Sequence, residues 1–206
     1  LKLLKENIIG KVTSIKSNFG FDAGTPLKNT RLFDSRLGGG SILDLGCYPI
    51  TFSNLISNYI NNAEEIIPEI EEVSGEIHSI GVDLNAKAKL IYKNSITSEI
   101  EVSINKNLSN VTEIFGENGK IKILDPWLPK KRNIIELYKN NKIQKIFSNF
   151  KLSLFAGQIN FFNLCAINKK NQVNKTAMSI NNSVNYVKVM SKWKDLLFKK
   201  MQERSN

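Results

Sequence analysis

"AKAKLIYKNSITSEIEVSIN" (residues 86–105) is apolar at alternate positions on either side of a polar break. Ala86, Ala88, Leu90 and Tyr92 fall on one side of an extended chain with lysines between them. Ile96, Ile100, Val102 and Ile104 share one side of the second half. Successive side chains of a strand point to opposite faces, so each half reads as a strand with one face buried. KNS (93–95) joins the two as a hairpin turn. Two more hairpins come after it: "VTEIFGENGKIKIL" (111–124), turning around Glu117–Gly119, and "IIELYKNNKIQKIF" (134–147), turning around Asn140–Asn141. Consecutive hairpins build a largely antiparallel sheet, one face of which needs a cover.

Helices supply it. Leu1, Leu4 and Ile8 recur at helical spacing, with Gly10 placed as a C-cap. "KVTSIKSNFGF" (11–21) reads as a strand. "DAGTPLKNTRLFDSRLGGG" (22–40) is long and irregular, as connections that line a site are, and it leads into an apolar helix from about Ser41 to Tyr59. Near the C-terminus, "LFAGQINFFNLCAINKK" (154–170) presents Phe155, Ile159, Phe162 and Ala166 at three- and four-residue steps. "SINNSVNYVKVMSKWKDLLFKKM" (179–201) offers a buried stripe of Val184, Val187, Met190, Trp193 and Leu197. Helices at both ends of a strand meander make an α+β fold.

With 206 residues, 41% of them hydrophobic, the chain is long enough for one large domain or a domain with a tail. Its formal charge of +10 comes from lysines scattered one or two at a time, with no arginine-rich stripe, so no nucleic-acid partner is expected. The densest basic clusters, PKKR (129–132) and KWKDLLFKK (192–200), read as a solvated loop and a helix face; the first has contact with a phosphorylated substrate as its alternative. No apolar run is long enough to span a bilayer, and no membrane partner is expected. Cys47 and Cys165 lie far apart and His78 is the only histidine, which excludes a Cys/His zinc site and suits reduced thiols in a cytoplasmic protein. His78 and Asp83 read as sheet-edge and turn or strand-capping residues, and Trp127 of Asp125-Pro126-Trp127 as packing at a strand end, with a loop that approaches the substrate as the alternative.

One stretch concentrates chemistry: "LGGGSILDLGCYPI" (37–50). Gly38, Gly39 and Gly40 let backbone come close to something, and the amides of a following helix favour an anion. Asp44 and Tyr48, four apart, share one face of a helix. A carboxylate there orients a phenol or tunes its proton affinity, and such a phenol can protonate a carbonyl oxygen as hydride reaches the carbon. Pro49 kinks or restarts the helix. The alternative is structural: Asp44 as a cap for a helix beginning near Leu45, and Tyr48 as a core residue with its hydroxyl on backbone. No GxGxxG fingerprint occurs anywhere in the chain.

"RLFDSRLGGGSILDLGCYPI" (31–50) closely resembles the start of the second domain of the Gfo/Idh/MocA oxidoreductases, in the branch of glucose–fructose oxidoreductase and the dihydrodiol and xylose dehydrogenases. "ENIIGKV" (6–12), "GVDLNAKAKLIYKNSITSEIEVSI" (81–104) and "EIFGENGKIKILDPW" (113–127) extend the resemblance over nearly the whole chain. It implies a large open, mostly antiparallel sheet with helices on one face, the glyceraldehyde-3-phosphate-dehydrogenase-like C-terminal fold. The other face would pair subunits into a homodimer or larger assembly, and an exposed apolar patch on it would favour that. It further implies Tyr48 as proton donor or acceptor, Asp44 beside it, and Arg31 with Gly38, Gly39 and Gly40 bordering substrate or cofactor.

The implied activity interconverts hydroxyl and carbonyl on a sugar, diol or polyol with NAD or NADP. The resemblance also marks what is absent: the dinucleotide-binding domain and its E-K-P lysine. Residues 1–10 are accordingly expected to be the end of a connection from such a domain, and 11–206 a substrate-binding and oligomerisation domain that is inactive by itself. The reading from another class is a stand-alone sheet module that only oligomerises or binds a ligand.

Overall fold

The computed structural model describes residues 1–24, 30–62, 66–93, 95–128, 130, 132–149, 155–169 and 178–205. Residues 25–29 of the loop before the motif, Asn94 of the first hairpin turn, and Pro129 and Lys131 of the basic loop lie outside them.

Among the described residues, eight strands form one sheet: β1 (Val12–Gly20), β2 (Glu69–His78), β3 (Val82–Ile91), β4 (Thr97–Ser103), β5 (Val111–Gly116), β6 (Gly119–Leu124), β7 (Arg132–Lys139) and β8 (Lys142–Asn149). Their spatial order is β2-β3-β4-β1-β5-β6-β7-β8, and β1 with β4 is the single parallel pair. The three predicted hairpins are β3–β4, β5–β6 and β7–β8. Asn140 and Asn141 both take positive φ (50° and 57°), as a two-residue turn matched to strand twist requires. His78 ends β2, where its Nδ1 accepts the Ile80 amide at 3.2 Å.

Five α-helices accompany the sheet among the described residues: α1 (Lys2–Lys5), α2 (Ser41–Leu45), α3 (Cys47–Asn61), α4 (Ala156–Ile167) and α5 (Ile180–Ser205). α1 is shorter than expected. It is followed by Asn7, not Gly10, in the left-handed conformation that ends a helix, although Gly10 also has φ of 73°. α2, α3 and α5 pack on one face of the sheet, burying Ile15, Leu90, Ile100 and Val102 against Ile42, Ile50 and Trp193. Ser53 of α3 and Ser98 of β4 share a hydrogen bond at 2.8 Å inside that core, so neither buried hydroxyl is left unpaired.

The α5 stripe differs from the expected one. Val184 and Val187 are exposed, whereas Tyr186, Val189, Met190, Trp193 and Leu197 are buried. The helical period explains this: Tyr186 is seven residues from Trp193, nearly two whole turns, while Val184 is two and a half turns away. α4 differs more: Phe155, Ile159, Phe162 and Ala166 are all exposed, and nothing on this helix is buried. It is apolar on every side, so its spacing carried no directional information.

The uncovered sheet face is charged over β1 and β3–β4 where an apolar patch was anticipated, and apolar side chains join the charges on β8, where Ile143 and Phe147 are exposed on either side of Lys145. The alternation that sends isoleucines and alanines inward sends lysines and glutamates outward. There Lys16–Glu99 (2.9 Å), Lys87–Glu101 (3.4 Å) and Lys120–Glu113 (2.7 Å) pair across strands.

One buried carboxylate joins the sheet to the motif. Asp83, at the start of β3 and fully buried, accepts from the Ser41 hydroxyl and the Ile42 amide, both at 2.7 Å. It thus caps α2 from a distant strand, a role unlike the turn or strand-capping one expected. Its second oxygen lies against Gly40 and has no hydrogen-bond partner among the described residues.

Trp193 is fully buried and donates its indole N–H to the Lys87 carbonyl at 3.2 Å. Trp193→Ala is expected to cost roughly 3–5 kcal/mol in urea unfolding, the range for truncating a buried large aromatic. Burial pushes the Asp83 carboxyl above its ordinary value, against the downward pull of its bonds to Ser41 and Ile42. A raised folded value means that Asp83 contributes full stability below the unfolded value of about 3.9 and loses it as pH rises through the folded one. The stability difference between wild type and Asp83→Asn, followed by urea titration from about pH 3 to pH 7, should therefore shift against wild type as pH rises. A flat difference would contradict this linkage.

Candidate active site

The loop from Arg31 to Gly40 folds as two short 3-10 turns, Arg31–Phe33 and Ser35–Leu37. The three glycines after it are consumed internally. Gly38 has φ of 71° and closes the second turn. A Cβ on Gly39 would fall within 2.8 Å of the carbonyls of Leu32, Arg31 and Asp34. Gly40, at φ of 109°, would push one into the Asp83 carboxylate. The close approach foreseen for these glycines is made by the protein's own groups, and the anion at the start of α2 is Asp83.

α2 and α3 are separate helices. Pro49 sits in the first turn of α3, where its missing N–H is not needed, and the break comes one turn earlier at Gly46. Gly46 is required there by packing: a Cβ would meet the Ile42 carbonyl, with the Trp193 ring 3.2 Å away. Asp44 neither caps a helix nor bonds the phenol; it takes a hydrogen-bonded ion pair from the Arg31 guanidinium. Arg31 is half exposed and Asp44 largely covered, so the pair lies at the rim of the loop.

Tyr48 is 41% exposed, and its hydroxyl has no hydrogen bond among the described residues. Its ring is held by an aromatic cluster. The Phe19 ring of β1 meets it edge-on at 5.0 Å, and Trp127 lies at 6.1 Å. Trp127 stacks on Phe19 at 5.9 Å, touches Phe52 one turn along α3, and donates its indole N–H to the Asn18 carbonyl at 2.8 Å. Such pairs contribute on the order of 1 kcal/mol each beyond area burial, enough to fix the plane of the phenol. Trp127 thus packs as its place after β6 suggested. Its contact with Tyr48 was not legible, because about eighty residues separate the two in sequence.

Partial burial, then the neighbouring Cys47, then the Asp44 charge push the Tyr48 hydroxyl above its ordinary value. The phenol is therefore a protonated group at neutral pH, with its oxygen free. Cys47 packs at the core margin, and burial pushes its thiol up as well, which suits an inert thiol. Lys130 pairs with Asp125 at 3.0 Å, so this member of the basic loop is neutralised locally. No group of three or more His, Cys, Asp or Glu residues able to hold a metal occurs among the described residues, and no described helix is long and apolar enough to cross a membrane.

Comparison with known proteins gives this arrangement a context. The trans-1,2-dihydrobenzene-1,2-diol dehydrogenase of Xenopus tropicalis is 33% identical over 128 residues, covering 62% of this chain and 36% of that protein. The mouse protein of the same name is 30% identical with the same coverage. The chain spans about a third of the length of the curated relatives it matches. Among solved structures, KijD10, a 3-ketoreductase from Actinomadura kijaniata in complex with NADP and TDP-benzene, superposes with a TM-score of 0.76 at 16% identity, over 92% of this chain and 55% of that one. The aldose-aldose oxidoreductase of Caulobacter crescentus gives 0.73 at 15% identity, over 94% and 56%. At such identities these structures establish the fold. The model of the GFO/IDH/MocA C-terminal domain matches residues 1–122, which include Arg31, Asp44, Tyr48 and the glycines between them, and the chain belongs to that oxidoreductase family.

Proposed function

We propose that this chain is the substrate-side, C-terminal part of an NAD(P)-dependent oxidoreductase that interconverts hydroxyl and carbonyl groups on a diol or sugar-like substrate. The observation that carries the reading is Tyr48: a protonated phenol, packed against Phe19 and Trp127 and still 41% exposed. The dehydrogenases and oxidoreductases it resembles act on substrates of that kind by their names.

Among the described residues, the start of α2 offers no free cradle for a dinucleotide. The Ile42 amide at the start of α2 is taken by Asp83, and the glycine fingerprint is absent. The cofactor, NAD or NADP, is therefore assigned to a separate nucleotide-binding domain, to which residues 1–10 connect, leaving 11–206 as the substrate and oligomerisation domain. When bound, such a cofactor would supply hydride chemistry at the substrate carbon. Tyr48 gives its proton to the substrate oxygen in the reducing direction and recovers it from solvent or from a lysine of the other domain. Asp44 keeps negative charge near the phenol, which holds the proton on it until the developing alkoxide draws it off. Arg31 fixes Asp44 and, with Gly38, Gly39 and Gly40, forms the wall of the substrate cleft. The open sheet face takes a second copy of the chain, and the free thiols of Cys47 and Cys165 suit the reducing cytoplasm.

Tyr48→Phe in the full-length protein should lower kcat by about 10²–10⁴-fold, the usual yield of a positioned general acid. NAD(P)H binding, followed by fluorescence titration, should stay unchanged. Unaltered turnover in that variant would remove Tyr48 from the chemistry.

A further inference from the structure

The face that α3 turns to the sheet is polar at its centre. Ile50, Ser53, Asn54 and Ser57 recur at three- and four-residue steps and are all buried, yet only the first is apolar. The sheet meets this row with polar groups of its own. Ser53 shares a hydrogen bond with Ser98 of β4 at 2.8 Å. The Tyr92 hydroxyl, one residue past the end of β3, donates to Asn54 Oδ1 at 2.5 Å. All four of these residues are at most 1% exposed. Burial pushes the Tyr92 phenol far above its ordinary value, so it stays a hydrogen-bond donor at neutral pH.

Such bonds do what apolar packing cannot. Hydrophobic burial is non-directional, so a helix on an apolar surface keeps most of its contact when it slides or turns slightly. A buried hydroxyl or amide needs one particular partner, and leaving it unpaired is costly. One residue of slip moves a helix by about 1.5 Å along its axis and about 100° around it. That movement would part Ser53 from Ser98 and Asn54 from Tyr92 together. Tyr48 stands five and six residues before Ser53 and Asn54, about 8 Å away along the same helix. The face of α3 beside the polar row carries Tyr48 and Phe52, both against Trp127. Upstream, Asp83 seats α2. Tyr48 is thus held between two polar contacts with the sheet, one before it in sequence and one after.

We propose that Asn54 and Tyr92, with Ser53 and Ser98, are positioning residues for Tyr48: they fix the register of α3 on the sheet and thereby the place of the phenol over Phe19. They act through the helix and not on the substrate. This rests on the reading of Tyr48 as proton donor, and it adds the residues that set where that donor stands.

Placement and stability come apart in paired variants. Tyr92→Phe and Asn54→Leu each leave a buried partner unpaired, whereas the double variant removes both polar groups and keeps a contact of similar shape, which can be nearly neutral for folding. In urea unfolding of the full-length protein, both single variants should be destabilised and the double variant should recover. Turnover should not follow: kcat of the double variant should stay about tenfold or more below wild type, since a misplacement of about 1 Å can cost a hundredfold. KM, and NAD(P)H affinity by fluorescence titration, should be unchanged. In a Tyr48→Phe background the double variant should lower the residual kcat by less than about twofold, because its effect runs through Tyr48. If the double variant loses its cooperative unfolding transition, the smaller deletion Ser53→Ala with Ser98→Ala decides by the same criteria. A double variant that regains kcat together with stability, or that adds its full loss on top of Tyr48→Phe, would overturn the proposal and leave Tyr48 as the acid. Unaltered turnover in Tyr48→Phe would overturn the functional reading beneath it.

Discussion

The contact between Asp83 and the start of α2 is the constraint on which the candidate site depends, because it ties a loop of weak intrinsic structure to a deeply buried strand. Asp83 stands near the start of β3, and its two bonds to Ser41 and Ile42 satisfy donors that a five-residue helix cannot satisfy itself. The same carboxylate forbids a side chain at residue 40, and the neighbouring carbonyls forbid one at residue 39. Glycine at these positions is thus a packing requirement. The contact also sets position: with α2 seated, Asp44 reaches Arg31, and the chain enters α3 at the depth that brings Tyr48 over Phe19.

Asp44 and Tyr48 do not bond each other, although the backbone stays helical between them: Gly46 has φ of −61° and ψ of −26°, and its carbonyl accepts the Ile50 amide at 3.3 Å. Gly46 stands there because a Cβ would meet the Ile42 carbonyl and crowd Trp193. Asp44 pairs with Arg31 and acts on Tyr48 through its charge. A negative charge near a neutral phenol disfavours its ionisation, which makes the group a better keeper of its proton than an isolated tyrosine. Burial of the ring, the largest cause, pushes in the same direction.

Most of the sheet was legible because period-two alternation and turn residues are local signals: the three hairpins turn where Ser95, Glu117–Asn118 and Asn140–Asn141 stand. The long stripe of α5 was legible from Met190 onward and misleading before it, since Val184 and Val187 fit the composition of a buried face without fitting its period. The site was legible only as a segment. Arg31, Asp44 and Tyr48 lie close in sequence, whereas Asp83 and Trp127, which position them, come from parts of the chain whose approach no local pattern announces. The parallel neighbours β1 and β4 are likewise invisible locally, because over seventy residues separate them. Among the described residues, α4 exposes Phe155, Ile159, Phe162 and Ala166 alike, for want of a polar side to orient it.

The lysines illustrate the same division between composition and position. Counted along the chain they look like background, one or two at a time. Placed in the sheet, they occupy alternate strands of a single row, with a glutamate on each strand between. Random scatter would leave like charges side by side at some of seven adjacent steps, each a destabilising neighbour on one face. Strict alternation removes every such neighbour within the row.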